Sequence, residues 1–247
     1  MRYFIELSYD GTPFVGWQRQ SKGNSVQSCL EDALSILFRK PLNTVGAGRT
    51  DAGVHAYQLF AHVDLDEQFD QDLTLRLNKL LPKEIAVHNI FSVNQDAHAR
   101  YDAVSRSYRY QITKEKNPFL QKRSYQFAKQ LDLDLMNQAA KILIFNKDFK
   151  CFSKSKTDVK TYICNIQHAY WQQNASELVF FIQANRFLRN MVRAIVGTLI
   201  EVGLGKISIS DFEGIIASRD RSQAGYSVPA HGLYLEKVSY PKHIFAV

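Results

Sequence analysis

The 247 residues are 45% hydrophobic and 22% charged, the balance of an ordinary soluble globular protein, with enough chain to bury a core as one large domain or two packed halves. No apolar run approaches the ~20 residues of a membrane span, and Cys29, Cys151 and Cys164 lie far apart with no CxxC, which excludes a disulfide framework and the usual zinc spacings and points to a reducing cytoplasm. Lys and Arg number 31 against 24 Asp and Glu, a net charge of +7, which suits a nucleic-acid partner without establishing one.

Tyr3 to Tyr9 mixes aromatic and aliphatic residues in rough alternation and reads as a strand. Glu6 interrupts the apolar N-terminus, unlike a signal peptide. Asp10-Gly11-Thr12-Pro13 ends the strand with turn chemistry. Phe14-Val-Gly-Trp-Gln-Arg-Gln20 has two readings: a surface on which bases stack, or a hairpin whose aromatics pack inward. Asn24-Ser25-Val26-Gln27 predicts a helix start, with Asn24 capping and Gln27 three residues on. Val26, Leu30, Ala33, Leu34 and Leu37 then share a helical face, and Pro41 closes the helix. Thr44-Val45 leads into a glycine-rich loop, 46–55, from which Tyr57 to Asp64 emerges as a strand. Leu73, Leu77 and Leu80 mark a second helix stopped by Pro82, and Ile85 to Val93 is another strand.

The boundary between halves falls near residue 104, giving 1–104 and 105–247. Ser105 to Thr113 reads as a strand, with Arg106, Tyr108, Tyr110 and Ile112 on one face. Tyr108 between arginines is an odd core residue; the plainer reading is a half-buried strand whose tyrosine hydroxyls reach solvent. Leu135, Met136, Ala139, Ala140 and Leu143 form a helix after Asp132 or Asp134. The lysine-rich stretch 147–160 reads as a mobile surface loop. Thr161 to Trp171 and Glu177 to Ala184 look like paired strands joined by Gln172-Gln-Asn-Ala175. Asn185 to Val202 is the strongest helix pattern, with Leu188, Val192, Ile195, Leu199 and Val202 on one stripe. Arg186, Arg189 and Arg193 recur at helical spacing, either a solvated face or a row awaiting an anion. Ser210-Asp-Phe-Glu213 predicts a capping box for a last helix. Arg219 and Arg221 follow in a polar loop, and Gly232 to Val238 closes the chain as a strand.

Loop 46–55, Gly46-Ala-Gly-Arg-Thr-Asp-Ala-Gly-Val-His55, has hardly a side chain that could fill a core. Its Asp51 either caps its own turn or is a carboxylate presented beside the Arg49 guanidinium, which would hold it ionised and aimed.

The ordered motifs decide between these readings. Gly48-Arg-Thr-Asp-Ala-Gly-Val-His55 strongly resembles the catalytic motif of the tRNA pseudouridine synthase A family. Tyr9-Asp-Gly-Thr12 with Gly16-Trp-Gln-Arg-Gln20, His98-Ala-Arg100 with Arg106-Ser-Tyr-Arg-Tyr110, Asn185 to Gly197, and Ala230-His-Gly-Leu-Tyr-Leu235 resemble its other motifs in the same order. The resemblance implies an α+β pseudouridine synthase fold. Two similar ferredoxin-like halves would join in a mostly antiparallel central sheet with helices packed on it, the active-site cleft lying between the halves. It implies isomerisation of uridine to pseudouridine on the 3′ side of the anticodon stem-loop of tRNA, with no metal, no organic cofactor and no membrane, by a cytoplasmic homodimer. By motif, Asp51 is the catalytic aspartate, Arg49 helps displace the target nucleotide, Arg193 pairs with the carboxylate, Tyr108 packs on the base and Leu233 lies beneath it. Arg186 and Arg189 are expected to meet phosphates, with Arg219 and Arg221 as further candidates. The lysine-rich 147–160 departs from the family pattern. A non-catalytic RNA-binding module would share the charge and aromatics without needing Asp51. A glycosidase or nuclease would need a second carboxylate or a metal cluster, and no acidic motif accompanies Arg49-Thr-Asp51.

Overall fold

The computed structural model describes residues 1–66, 72–155, 159–174 and 177–245. In chain order the elements are β1 (Arg2–Tyr9), α1 (Val26–Phe38), β2 (Val45–Gly46), β3 (His55–Asp64), α2 (Leu73–Leu80), β4 (Ile85–Val93), β5 (Ser105–Thr113), β6 (Tyr125–Gln126), α3 (Leu133–Phe145), β7 (Ile166–Asn174), β8 (Glu177–Ala184), α4 (Met191–Gly203), α5 (Ile209–Ser218) and β9 (Leu233–Ser239). This is a mixed α+β chain with mostly antiparallel strand pairing. It divides into two compact units, Met1–Val104 with Tyr234–Val247, and Ser105–Leu233. The closing segment, which chain order alone assigns to the second half, thus belongs with the first unit.

In the first unit β1 runs antiparallel to β3 on one side and β4 on the other. Tyr234 and Leu235 of β9 pair parallel with His55 and Ala56 of β3. The α1 helix buries Val26, Leu30, Ala33 and Leu34. Its cap is Ser25 rather than Asn24. The Ser25 hydroxyl accepts the Ser28 amide at 3.0 Å, and the Ser28 hydroxyl accepts the Ser25 amide at 3.0 Å. Gln27, expected to close the box, is instead turned inward and buried. Phe4, Phe60, Phe91, Tyr240 and Phe245 form an aromatic cluster, so the C-terminal segment supplies part of this unit's core.

In the second unit β8 lies between β5 and β7, antiparallel to both. Ala175 of the expected connecting turn lies outside the described residues. Asp132 caps α3, accepting the Leu135 amide at 2.9 Å. The two units share a device: a helix Asn pairs with both backbone groups of an edge-strand residue. Asn78 of α2 does so at Val87, with two bonds of 2.8 Å. Asn137 of α3 does so at Trp171, at 2.8 and 3.2 Å.

Four expectations change here. The helix expected over 185–202 begins only at Met191. Asn185 is tied to Asn165 through backbone and side chain, at 3.2 and 2.7 Å, and Asn190 takes a left-handed conformation with φ of 65°; together they hold 185–190 out of the helix. The cap of α5 is Ser208 with Asp211, not Ser210 with Glu213, because Ser208 meets the Asp211 amide and its own amide reaches the Asp211 carboxylate. The stretch 147–160 is not a free surface loop. Phe149, Cys151 and Phe152 are fully buried, and the Lys154 amide donates to the Arg189 carbonyl at 3.0 Å; its residues 156–158 lie outside the described residues. Finally, β7 starts at Ile166 rather than Thr161, and Ile163 makes only an isolated bridge to Asp148.

Candidate active site

Loop 46–55 is held by its backbone. Gly46 pairs with Ala61 of β3, and the Ala47 amide donates to the Phe60 carbonyl at 2.7 Å. The Val54 amide then donates to the Asp51 carbonyl at 3.1 Å, closing a four-residue turn. Gly53, third in that turn, has φ of +76°, a value that favours glycine there as in a type II turn. The turn therefore closes through the Asp51 carbonyl.

A second segment braces the loop. The Trp17 amide donates to the Thr50 carbonyl at 3.3 Å, and the Tyr9 and Thr50 hydroxyls are 2.8 Å apart. Gly16 has φ of +108°, and a Cβ there would run into the Thr50 carbonyl. The Gly11 amide donates to His55 Nδ1 at 3.1 Å, and Asp10 Oδ1 lies 3.1 Å from the same nitrogen. The buried His55 ring stacks on Tyr234 at 4.6 Å, and Tyr57 stacks on Tyr234 at 5.1 Å. Trp17 is 1% exposed and Phe14 is buried. Of the two readings of 14–20 the inward packing holds, though without the hairpin, since 14–20 forms no strand; Phe14 and Trp17 are scaffold rather than a stacking surface. Arg19 is ion-paired at 2.8 Å to both Glu31 and Asp32.

Asp51 is half-buried and Arg49 exposed. The turn closes on the C-terminal side of Asp51 and leaves Arg49 outside it, and among the described residues Arg49 forms no ion pair. The pairing of these two neighbours expected from their spacing is not made.

In the second unit, Tyr108 is half-buried on β5 and meets the Phe187 ring edge-on at 5.1 Å. Arg193 lies in the first turn of α4; its Nε donates to the Val228 carbonyl at 2.7 Å, and the Val228 amide donates to the Arg193 carbonyl at 3.2 Å. The same segment is tied to α4 through Gly225 to the Thr198 hydroxyl at 2.9 Å and Asn190 to Ser227 at 2.6 Å. Tyr110, whose hydroxyl burial pushes upward, donates to the Pro229 carbonyl at 2.9 Å. Leu233, buried, ends this unit. Arg186 and Arg189 lie ahead of α4, not on it: Arg186 is half-buried and donates to the Thr161 carbonyl at 3.3 Å, and Arg189 is exposed. The two further arginines have structural employment. Arg219 pairs with Asp148 at 2.9 Å, and Arg221 donates to the Ala224 and Gly225 carbonyls and to Ser227.

Burial pushes the Cys151 and Cys164 thiols up, to about 12 and about 11. Neutral thiols at ordinary pH are poor nucleophiles. Gly11, Gly16 and Trp17 were legible as motif residues but not as braces, because the loop residues they hold lie 33 to 44 positions further along the chain.

No helix among the described residues is long and apolar enough to cross a membrane. Residues 7–102 and 139–241 match the family described as tRNA pseudouridine synthase. The tRNA pseudouridine synthase A of Parabacteroides distasonis is 52% identical over 248 residues, covering 100% of this chain and 98% of that protein. That of Shewanella amazonensis is 40% identical over 245 residues, with 98% and 94% covered. That of Caldicellulosiruptor bescii is 36% identical over 239 residues, with 96% and 98% covered.

Proposed function

The chain belongs to the tRNA pseudouridine synthase family, a family of isomerases, and on that premise we propose that it converts uridine to pseudouridine in tRNA, on the 3′ side of the anticodon stem-loop, with Asp51 as its catalytic carboxylate. What supports the reading is that Asp51 sits half-buried on a loop held by backbone hydrogen bonds at Ala47, Thr50 and Val54, within the motif matched by the family. In the reaction the N1–C1′ bond breaks, the base turns over and a C5–C1′ bond forms, while C5 loses its proton and N1 gains one, so the product is an isomer of the substrate. An ionised carboxylate can act as nucleophile at the sugar or base, or as a base toward the ribose. Both routes begin from the same Asp51 oxygen, and neither changes the redox state.

A stem uridine must leave the stack to be reached, at a cost of a few kcal/mol. We assign Arg49 to displacing the nucleotide, Tyr108 to packing on the flipped base and Leu233 to the apolar floor beneath it. Arg193 is the proposed partner of the carboxylate, holding it ionised and fixing its direction. Its Nε bond to Val228 supports that role, because it fixes the plane of the guanidinium. Arg186 and Arg189 are assigned to phosphates, which carry affinity without sequence information. The enzyme is proposed to work in the cytoplasm as a homodimer, which a mass measurement in solution tests.

Incubating tRNA with the purified protein and resolving its nucleosides decides the function. Pseudouridine confined to the anticodon stem-loop is expected. Released uracil would indicate a glycosidase, and unchanged but bound tRNA would indicate a binding module; either result removes the proposal.

A further inference from the structure

Loop 46–55 hangs from two flanking pieces of chain, Thr44 ahead of it and Gly16–Arg19 beside it, and both are gripped by one pair of buried side chains on α1. Glu31 is 4% exposed. Its Oε1 accepts the Thr44 amide at 2.9 Å, the Thr44 hydroxyl at 3.2 Å and Gln27 Nε2 at 2.9 Å. Its Oε2 accepts Arg19 Nε at 2.8 Å. Gln27 is 7% exposed, and its Nε2 also donates to the Thr44 carbonyl at 2.8 Å. Its Oε1 accepts Gln18 Nε2 at 2.7 Å and the Arg19 amide at 2.9 Å. The Gln27 and Val26 amides donate to the Trp17 and Gly16 carbonyls at 2.9 and 3.2 Å.

Thr44 is thus fixed at both its N–H and its C=O, one residue before β2 delivers the chain into the loop. The segment Gly16–Arg19 is fixed at successive residues, and it is this segment whose Trp17 amide holds Thr50, the neighbour of Asp51. Packing alone does not require this arrangement, since α1 already has its apolar face in Val26, Leu30, Ala33 and Leu34. A carboxylate is costly to bury, and it is retained where every donor around it is satisfied and a single geometry results.

We propose that Gln27 and Glu31 are positioning residues for the reaction: together they lock the two flanks of loop 46–55 to α1 and so fix the direction of Asp51 without touching substrate. The inference rests on the reading of Asp51 as the catalytic carboxylate. All of its contacts lie within the first unit.

Glu31→Gln keeps the size of the side chain but places an amide where an acceptor is needed by either Thr44 or Arg19. Gln27→Met keeps the volume and leaves the carboxylate in place. The test measures single-turnover pseudouridine formation, tRNA Kd and Tm for the full-length protein, at a temperature well below every Tm. Asp132→Ala, which removes the cap of α3 in the other unit, serves as the control for lost stability alone. Both α1 variants are expected to lose about 10-fold or more in turnover, the scale of a sub-ångström misplacement, with Kd within about 2-fold, whereas Asp132→Ala lowers Tm and keeps its rate. If Glu31→Gln does not fold, Gln27→Met carries the test. Variants that lose Tm like Asp132→Ala but turn over at the parental rate overturn the proposal. Asp51→Asn in the same series separates the two ideas. If it is inactive while the α1 variants are fully active, only this inference falls; if it is fully active, the reading of Asp51 falls.

Discussion

Two stretches of this chain carry most of the residues proposed for its chemistry, and they are built in opposite ways. Loop 46–55 is almost bare of core side chains, yet backbone hydrogen bonds to β3, to Trp17 and within its own turn fix it at Gly46, Ala47, Thr50, Asp51 and Val54. The stretch from Asn185 to Arg193 is rich in side chains at helical spacing, yet its first six residues are not helical. Where backbone groups find partners, conformation is fixed whatever the side-chain pattern suggests. In the loop that fixes the chain on both sides of Asp51; before α4 it converts an apparent basic stripe into separate arginines with different surroundings.

After Asp51 itself, the largest effect expected on this contrast is at its helical end. Arg193→Lys should lower turnover on the order of 100-fold, about 3 kcal/mol of barrier, while tRNA binding changes much less. A point charge cannot reproduce a planar guanidinium that donates to the Val228 carbonyl through Nε. A Lys variant with parental turnover would make Arg193 one more phosphate contact.

Next comes a pair of glycines. Gly16→Ala should cost about 3 kcal/mol, since φ of +108° is strained for any side chain and the Thr50 carbonyl occupies the space. Gly48→Ala meets nothing within 4 Å and should stay within about 0.5 kcal/mol of the parent. Denaturant midpoints of the two variants check this; equal midpoints would mean that the loop is not held where the contacts say.

The frame beneath the loop responds to pH. His62, on β3, accepts the Ala99 amide at 3.1 Å. Burial first, then the nearby Arg2 and His98 charges, push it down from 6.5 to about 4. The unfolded imidazole protonates at the higher value, so acid favours the unfolded chain. Stability is full above about pH 6.5 and declines toward pH 4, by about 2 kcal/mol. Thermal unfolding across that range should show the slope, and His62→Gln should flatten it; a slope unchanged in the variant would place its origin elsewhere.

The smallest expected effects are at Arg186 and Arg189. Each Ala variant should weaken all tRNAs alike and lower the salt slope by roughly one, with Arg186→Ala also losing its bond to Thr161. An unchanged salt dependence would mark them as solvated side chains.

Much of this contrast is legible in the sequence, for physical reasons that also explain the errors. Strand β5 and strand β4 read correctly because alternation and flanking turns fixed both ends. The glycines of 46–55 flagged a loop, which is held by its backbone, and the ordered motifs pointed to the family that the comparisons show. The helix at 185–202 was overextended because Arg186, Leu188 and Arg189 fit a 3.6-residue period that the tie between Asn185 and Asn165 overrides. Stretch 147–160 looked solvated because its lysines outnumber its anchors, yet Phe149 and Phe152 are enough to bury its middle. Gln27 and Glu31 were invisible because each reads as an ordinary polar helix residue until Thr44 and Arg19 are seen beside it.

The account stands on Asp51 contributing chemistry and little of the fold. Asp51→Asn is the direct measurement, with pseudouridine formation, tRNA Kd and Tm taken on one preparation. Turnover should fall by more than about 1,000-fold, with Kd within about 2-fold and a Tm close to that of the parent, because the turn closes through the Asp51 carbonyl rather than its carboxylate. Substantial pseudouridine formation by a well-folded Asn variant would contradict it.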